Sequence, residues 1–139
     1  MRAFIDTNVL IYVYDTRDED KQKTAENLIA YLLENSTACI NMQVVEEFCS
    51  VAVNKLKIID HSELATILRK SLIPMLRHAA SPPFIYDAVR LHANNKLSFY
   101  DSLIIQAAID TDCDVLYSED LHDGQVFGKL KIVNPFKKI

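Results

Sequence analysis

The sequence predicts an α/β fold in which helices cover both faces of a central parallel sheet. Short, wholly apolar segments, typical of strands buried on both faces, alternate with longer segments whose apolar residues recur at helical spacing. Half of the 139 residues are hydrophobic, and glycine and proline are rare, which favours a packed core over disorder. Because no internal repeat or linker is visible, we expect a single domain over residues 1–139.

The chain opens with the first strand and the first helix. Residues 3–5 are apolar and are predicted to form a buried strand, and the apolar segment 9–14 is predicted to form a helix capped by Thr7 or Asn8. Asp6 then lies at the carboxyl end of a central strand, beside a helix N-terminus. In open α/β sheets this is where ligands bind. The alternative is that Asp6 is only a turn or capping residue.

The middle of the chain alternates one strand with three amphipathic helices. Residues 37–41 form the second strand candidate. The segments with apolar residues at helical spacing are 18–35, 42–55 and 60–72. Asp60 or Ser62 is expected near the cap of the last of these helices, and Pro74 is expected to end it. Residues 73–80 are therefore predicted to form a short strand or a turn.

The last third of the chain contains two more helices and two more strands. Ser81 followed by Pro82 is expected to start a helix that ends near residues 94–95. Ser98 is expected to cap a second helix over residues 99–111. The predicted strands are residues 114–117 and 130–133, and the polar loop SEDLHDGQ follows the first of them.

The composition disfavours several classes of protein. No apolar run approaches the roughly 18 residues of a membrane span, and Asp6 interrupts the apolar run that a secretion signal would need. The three cysteines lack CxxC spacing and lie in apolar segments, so we expect buried free thiols in the reducing cytoplasm. The four histidines lack the spacing of zinc ligands. The net charge of −4 disfavours a broad basic face for nucleic acid, but not a nuclease whose acidic residues bind metal.

The helix over residues 42–55 carries two adjacent glutamates, and only one of them is expected to point toward the sheet. With about 100° of rotation per residue, Glu47 lies about 100° from Phe48, the centre of the apolar stripe, whereas Glu46 lies about 160° away. Glu47 is thus at the border of the buried face. The alternative is a boundary residue whose stem lies on the core and whose carboxylate reaches water.

Asp101 is expected at the centre of a buried face. The helix over residues 99–111 is apolar on nearly all sides, and Ile104, Ile105 and Ala108 lie within about 60° of the direction of Asp101. An isolated carboxylate in such surroundings would be costly or protonated, although a helix N-terminus lowers the cost. Helix capping is the alternative role, but Ser98 already occupies the cap position.

A fourth carboxylate, Asp120 or Glu119, follows the predicted strand 114–117 and is expected at the same sheet edge as Asp6. Four carboxylates would then meet within a few Å, and they cannot all be ionised without a cation. Oxygen-only ligands favour Mg²⁺ or Mn²⁺. Such a site activates water and holds a phosphodiester, so the pattern predicts a metal-dependent nuclease or phosphatase.

Five motifs resemble the PIN-domain family, in particular the VapC-like ribonuclease toxins of bacterial toxin–antitoxin pairs. In chain order they are FIDTNVL, INMQVVEEF, LSFYDSLIIQAA, LYSEDLHDGQ and IVNPF. The resemblance implies that the metal-binding carboxylates, which would also be the catalytic residues, are Asp6, Glu47, Asp101 and Asp120. It implies supporting roles for Asn8 and Ser118.

Two positions fit the family pattern less well. Asn41 stands where many members have serine or threonine, which would weaken one supporting hydrogen bond. Within the SED segment, the pattern favours Asp120 as the fourth acidic residue, and Glu119 would add a water-mediated contact.

The resemblance also implies an architecture, an activity and partners. We expect a three-layer α/β/α sandwich, a homodimer, and Mg²⁺-dependent cleavage of single-stranded or loop RNA. A protein antitoxin is expected, with its C-terminal segment in the active-site groove. Asp6 would be the central metal ligand, and Glu47 or Asp101 would help to deprotonate the attacking water through the metal. The candidates for phosphate contact are Lys55, Arg90 and Lys96.

Three other functions are less compatible with the sequence. A catalytically silent PIN-like module that only binds a partner protein would not need a carboxylate at Asp101. A phospho-accepting receiver domain would need a lysine beside the acidic pocket, and Lys129 and Lys131 are poorly placed for that. A haloacid-dehalogenase-type phosphatase would need a DxD motif at the first strand, where the third position is Asn8.

Overall fold

A computed structural model describes residues 1–137 and shows a five-stranded sheet in the order β2-β1-β3-β5-β4. The strands are β1 (Ala3–Ile5), β2 (Ala38–Cys39), β3 (Val115–Tyr117), β4 (Val126–Phe127) and β5 (Leu130–Val133). All neighbouring strands run parallel except β4, which pairs antiparallel with β5. The predicted three-layer α/β/α fold is confirmed, although the edge strand β4 was not predicted. Residues 138 and 139, the end of the predicted domain, lie outside the described residues.

Seven α-helices connect and cover these strands within the described part of the chain. They are α1 (Thr7–Tyr12), α2 (Glu19–Glu34), α3 (Met42–Cys49), α4 (His61–Ile67), α5 (Ile73–Met75), α6 (Pro82–Asn94) and α7 (Phe99–Asp110). Two π-helical segments, Ser50–Lys55 and Leu68–Leu72, extend α3 and α4. Helix α1 packs against α2 and α3, and α6 packs against α7. No helix within residues 1–137 has both the length and the apolar character needed to cross a membrane.

The central strand β1 sets the position of the acidic end of the sheet. Its three residues are completely buried, as expected of a strand with helices on both faces. Ile5 of β1 pairs with Tyr117 of β3, and Tyr117 pairs with Val133 of β5. Because neighbouring parallel strands end at the same level, the next residues, Asp6 and Ser118, emerge side by side at the carboxyl edge.

The ends of several predicted helices agree with the structure, but the cap of α1 does not. The side chains of Asp18, Asp60, Ser81 and Ser98 accept hydrogen bonds from backbone N–H groups at the starts of their helices. For α1 the cap is Asp6 rather than Thr7 or Asn8, because the Asp6 carboxylate accepts the N–H of Thr7. Asp6 therefore has a capping role in addition to any other.

Pro74 does not break the preceding helix, contrary to the prediction. The chain stays helical from His61 through Met75. The π-helical segment Leu68–Leu72, which ends two positions before Pro74, shifts backbone hydrogen bonds to i→i+5 spacing and so accommodates a residue with no N–H. Beyond the helix, Leu76 forms an isolated parallel bridge with Ile40, so the predicted strand is reduced to one residue.

The cysteines behave largely as the sequence indicates. All three are free thiols. Cys39 and Cys113 are buried, whereas Cys49 on α3 is half-buried.

Candidate active site

A cavity of about 570 Å³ opens at the carboxyl edge of the sheet, between the ends of β1 and β3 and the helices α1, α3 and α7. The four predicted carboxylates, Asp6, Glu47, Asp101 and Asp120, all line it. Asn8 lines it too. The structure therefore brings together side chains that lie as far as 114 positions apart in the sequence, from Asp6 to Asp120.

Asp6 lies at the inner end of the cavity and is held from both sides. Its Oδ1 accepts the backbone N–H of Thr7 at 2.8 Å. Its Oδ2 accepts the hydroxyl of Ser118 at 2.8 Å and the side-chain amide of Asn8 at 3.4 Å. Ser118 is completely buried, so this hydroxyl serves the carboxylate and not the solvent. The predicted supporting residues Asn8 and Ser118 thus both contact Asp6.

The electrostatic environment of Asp6 opposes its ionisation. The pKa of Asp6 is raised to about 6, chiefly by burial and also by the nearby charges of Glu47 and Asp120, while hydrogen bonds from Ser118 and Thr7 act in the opposite direction. A nearby positive charge would stabilise the ionised form of this carboxylate and lower its pKa. The pKa of Asp6 is therefore consistent with a cation-binding role.

Glu47 reaches the cavity from α3 and is held by two residues that sequence reasoning did not identify. Its Oε2 accepts the Thr7 hydroxyl at 3.2 Å, and its Oε1 accepts the Gln43 amide at 3.1 Å. Gln43 is one helical turn before Glu47, which is the only sequence signal for this contact. Both glutamates are exposed, but Glu46 lines a separate groove, whereas Glu47 lines the cavity. The predicted difference in direction between the two glutamates is therefore seen in the structure.

Asp101 is less buried than expected. Ile104, Ile105 and Ala108 are buried as predicted, but Asp101 itself is half-buried and faces the open cavity. The reason is its position in the first turn of α7, where the helix emerges from the core. Among residues 1–137, no side chain hydrogen-bonds to the Asp101 carboxylate, which leaves it available to solvent or a ligand.

The start of α7 positions Asp101 through Ser98. The Ser98 hydroxyl accepts the Asp101 N–H at 3.0 Å. We expect Ser98→Ala to lower the free energy of unfolding by about 1 kcal/mol, because the first turn loses its cap. Ser81→Ala, which removes the corresponding cap of α6, should cost a similar amount. Urea denaturation of both variants measures this, and an unchanged midpoint for Ser98→Ala would contradict it.

Asn8, in the first turn of α1, connects this helix to the loop after β3. Its Nδ2 donates to Asp120 Oδ2 at 3.1 Å, and its Oδ1 accepts the backbone N–H of Glu119 at 3.1 Å. The Glu119 carboxylate points away from the cavity, toward Lys21 and Tyr12. Of the two adjacent acidic residues, the structure therefore places Asp120 in the cavity and Glu119 behind it.

The profile of the PIN domain matches residues 3–123 of the chain. The chain belongs to the PIN-domain family. The fold of this PIN domain is similar to VapBC2 from Rickettsia felis bound to a DNA fragment from its promoter, with a TM-score of 0.67, 19% identity, and coverage of 95% of this chain and 97% of that one. It is also similar to VapC20 from Mycobacterium tuberculosis, a toxin that cleaves the sarcin–ricin loop, with a TM-score of 0.60, 14% identity, and coverage of 85% and 91%. No curated protein matches the sequence significantly.

The acidic residues of this PIN domain are more widely spread than the sequence suggests. Within residues 1–137, no three His, Cys, Asp or Glu side chains are close enough to hold a metal ion together. The expectation that four carboxylates meet within a few Å was therefore wrong in its spacing. Thr7 and Gln43 donate hydrogen bonds to the carboxylate of Glu47, and Asn8 donates to that of Asp120. The donors nevertheless fit Mg²⁺, since carboxylates line the cavity without histidine or cysteine, and Mg²⁺ keeps several of its waters.

The basic residues at the cavity of the PIN domain differ from those expected. Of the three candidates for phosphate contact, Lys55 lines the cavity and Lys96 does not, while Arg90 lies at a separate shallow groove, paired with Asp87. Arg17, which was not predicted, lines the cavity and makes two hydrogen bonds to the buried Asp15, at 3.0 and 2.8 Å. Asp15, which also lines the cavity, offsets the charge of Arg17, but the Arg17 side chain is 71% exposed, so its remaining N–H groups can still reach a ligand.

Asn41 has a structural role. Its Oδ1 caps α3 by accepting the N–H of Val44 at 3.1 Å, and the residue is buried. It does not line the cavity. The difference from the family pattern at this position therefore affects the start of the helix that carries Glu47.

Proposed function

We propose that the protein is a divalent-metal-dependent endoribonuclease and the toxin of a toxin–antitoxin pair. The observation that carries this proposal is the convergence of Asp6, Glu47, Asp101 and Asp120 on one cavity in a chain of the PIN-domain family. The VapC proteins with a similar fold, one of them an RNA-cleaving toxin, support the same class of substrate and reaction.

The four carboxylates would hold Mg²⁺ or Mn²⁺, with Asp6 as the central ligand. Asp6 is suited to this role because its carboxylate is oriented by Thr7 and Ser118 and because a bound cation would stabilise a charge that burial disfavours. When bound, the ion would supply water activation and neutralisation of charge on the scissile phosphate.

The other roles, proton transfer and phosphate binding, are assigned to side chains that line the cavity. Thr7 and Gln43 hold Glu47 facing the cavity. The Asp101 carboxylate, which has no side-chain partner among the described residues, would accept the proton of the attacking water. Arg17 and Lys55 would contact the phosphates of the RNA strand, because they are basic side chains that line the same cavity.

The expected partners follow from the family and from the neighbours. The VapBC complex supports a protein antitoxin as the partner of this chain. A homodimer and a cytoplasmic location are proposed with it, and the three free cysteines fit a reducing compartment.

The test is cleavage of a structured RNA pool with Mg²⁺ and with EDTA, by the wild type, Glu47→Gln and Glu46→Gln. We expect cleavage that EDTA abolishes, that falls by more than about 100-fold in Glu47→Gln, and that is unchanged in Glu46→Gln, because only Glu47 faces the cavity. The two variants remove the same charge from adjacent positions of one helix. A difference in their cleavage rates therefore cannot come from the loss of charge alone.

The opposite result would be an absence of cleavage by the wild type with any divalent metal, once mass spectrometry had excluded bound antitoxin. That outcome would favour a module that only binds a partner protein. Equal loss of activity in Glu46→Gln and Glu47→Gln would contradict the assignment of Glu47.

A further inference from the structure

A polar cluster of Tyr12, Lys21 and Glu119 adjoins the cavity: Tyr12 lines it, whereas Lys21 and Glu119 do not. Lys21 Nζ of α2 contacts Glu119 Oε2 at 2.6 Å, and the Tyr12 hydroxyl donates to Glu119 Oε1 at 2.8 Å. Lys21 Nζ also donates to the Tyr12 hydroxyl at 3.4 Å. Both oxygens of Glu119 are therefore occupied by groups from two different helices.

This cluster is more constrained than an ordinary surface ion pair. The side chains of Lys21 and Glu119 are 34% and 23% exposed. The Lys21 ammonium lies 5.0 Å from the ring centre of Tyr12 and 5.8 Å from that of Phe136, and these two rings pack edge to face. Isolated exposed pairs are weak because long side chains must be ordered, but here aromatic rings already confine the lysine.

The cluster is connected to the cavity through one backbone group. The N–H of Glu119 donates to Asn8 Oδ1 at 3.1 Å. This contact requires the other end of the Asn8 amide, its Nδ2, to face Asp120 and Asp6, at 3.1 and 3.4 Å. If the amide were reversed, its oxygen would face both carboxylates and its NH₂ would face the Glu119 N–H. The Glu119 N–H and the two carboxylates thus favour the same orientation of the Asn8 amide, and the Glu119 N–H is the contact that holds its oxygen.

We propose that Lys21 and Tyr12 are positioning residues, which anchor the Glu119 carboxylate so that its N–H holds Asn8 between Asp6 and Asp120. This inference rests on the proposed function, because the two carboxylates would hold the metal. It assigns Glu119 a role different from the water-mediated metal contact that the sequence suggests. The two roles predict opposite effects of removing Lys21. If Lys21 anchors the site, its loss weakens metal binding; if it competes for a metal-binding Glu119, its loss strengthens binding.

The first experiment is titration of Mn²⁺ into the RNA-free full-length protein by calorimetry. Lys21→Met is expected to weaken Mn²⁺ binding by roughly 10-fold, the lower end of the loss seen when a group that orients a metal ligand is removed. Tyr12→Phe should weaken it less, because Lys21 still anchors Glu119, and Lys21→Arg should restore most of the affinity. The matched control is Lys23→Met, which removes the same charge from an exposed position of the same helix.

The second experiment does not depend on metal or RNA. The side-chain amide resonances of Asn8 in the metal-free protein, assigned with Asn8→Asp, should shift in Lys21→Met and not in Lys23→Met. Thermal unfolding of each variant shows whether the fold is retained, and Tyr12→Phe provides a milder change if Lys21→Met unfolds.

Specific outcomes would overturn the inference. Equal Mn²⁺ affinity in Lys21→Met and Lys23→Met, tighter binding in Lys21→Met, or unshifted Asn8 resonances would each exclude the anchoring role. Failure of the proposed function looks different: the wild type would neither bind Mn²⁺ nor cleave RNA, whatever residue stood at position 21.

Discussion

Asp6→Asn is expected to abolish metal-dependent RNA cleavage while making the metal-free protein more stable at neutral pH. The loss of activity should exceed the roughly 10- to 100-fold that removal of a residue supporting a metal ligand costs, because Asp6 is proposed as the central ligand. The amide can still accept the N–H of Thr7 and so retains the cap of α1. Loss of activity together with a gain in stability distinguishes a functional carboxylate from a structural one.

The gain in stability follows from the pKa of Asp6. Folding raises this pKa from 3.8 to about 6, so between these values the folded state binds the proton more tightly than the unfolded state does. The contribution of Asp6 to stability therefore decreases as the pH rises through this window, and the full penalty is present above pH 6. We expect Asp6→Asn to be more stable than the wild type by about 1–2 kcal/mol at pH 7.5, after allowance for imperfect hydrogen bonds to the amide, and about equal near pH 4.

Urea denaturation in EDTA across pH 4–8 measures this difference. Comparison of the two proteins at each pH removes the contribution of the other acidic groups. A stability difference that did not change with pH would show that the environment of Asp6 does not oppose its charge. Mg²⁺ should raise the melting temperature of the wild type and have little effect on Asp6→Asn.

Asp101→Asn is expected to lose RNA cleavage by more than about 100-fold with little change in stability, since Asp101 is proposed both to bind metal and to accept a proton. The residue is half-buried, and its capping contact uses its backbone N–H, which the substitution retains. Loss of the negative charge from the first turn should cost less than about 1 kcal/mol. The decrease should appear in kcat more than in KM, because the side chain would act in the chemical step.

The control for this variant is Asp110→Asn at the other end of the same helix. Asp110 accepts a hydrogen bond from Gln106 and lies outside the cavity, so its substitution should leave cleavage intact. Retained cleavage in Asp101→Asn would contradict the proposed function. A loss confined to KM would instead limit Asp101 to substrate binding.

The sequence was sufficient to predict the elements whose patterns are local. The apolar run before Asp6 and the serine caps at Ser81 and Ser98 identify strands and helix starts through contacts between near neighbours. The strand β4 could not be predicted, because two partly exposed residues carry no periodicity and its pairing depends on β5. The helical path through Pro74 depends on a change of backbone hydrogen bonding that side-chain patterns do not reveal.

The candidate site was predictable in its carboxylates but not in their surroundings. Helical angles give the directions in which Glu47 and Asp101 point, but not how deeply each side chain lies in the protein. The burial of Asp101 was therefore overestimated. The contact of Thr7 with Glu47 joins residues 40 positions apart, and no spacing in the sequence marks it. The sequence could not decide whether Glu119 or Asp120 lines the cavity. Glu119 pairs with Lys21, which lies on another helix, and no sequence pattern reveals this contact.

The π-helical segment Ser50–Lys55 has a geometric consequence for the cavity. In a regular helix of 3.6 residues per turn, Lys55 would be rotated by about 80° from Glu47, which lies eight positions earlier. The wider turn, seen in the hydrogen bond from Leu56 N to Val51 O at 2.8 Å, reduces the rotation per residue and turns Lys55 back over the side of the helix that carries Glu47. The lysine and the glutamate therefore share one face because of a local insertion in the helical repeat. Deleting one residue from this segment would restore the regular repeat and place the lysine seven positions after Glu47, only about 20° away around the helix. The two side chains would therefore stay on one face, and the extra residue of the π-turn is accommodated without moving the lysine away from the cavity.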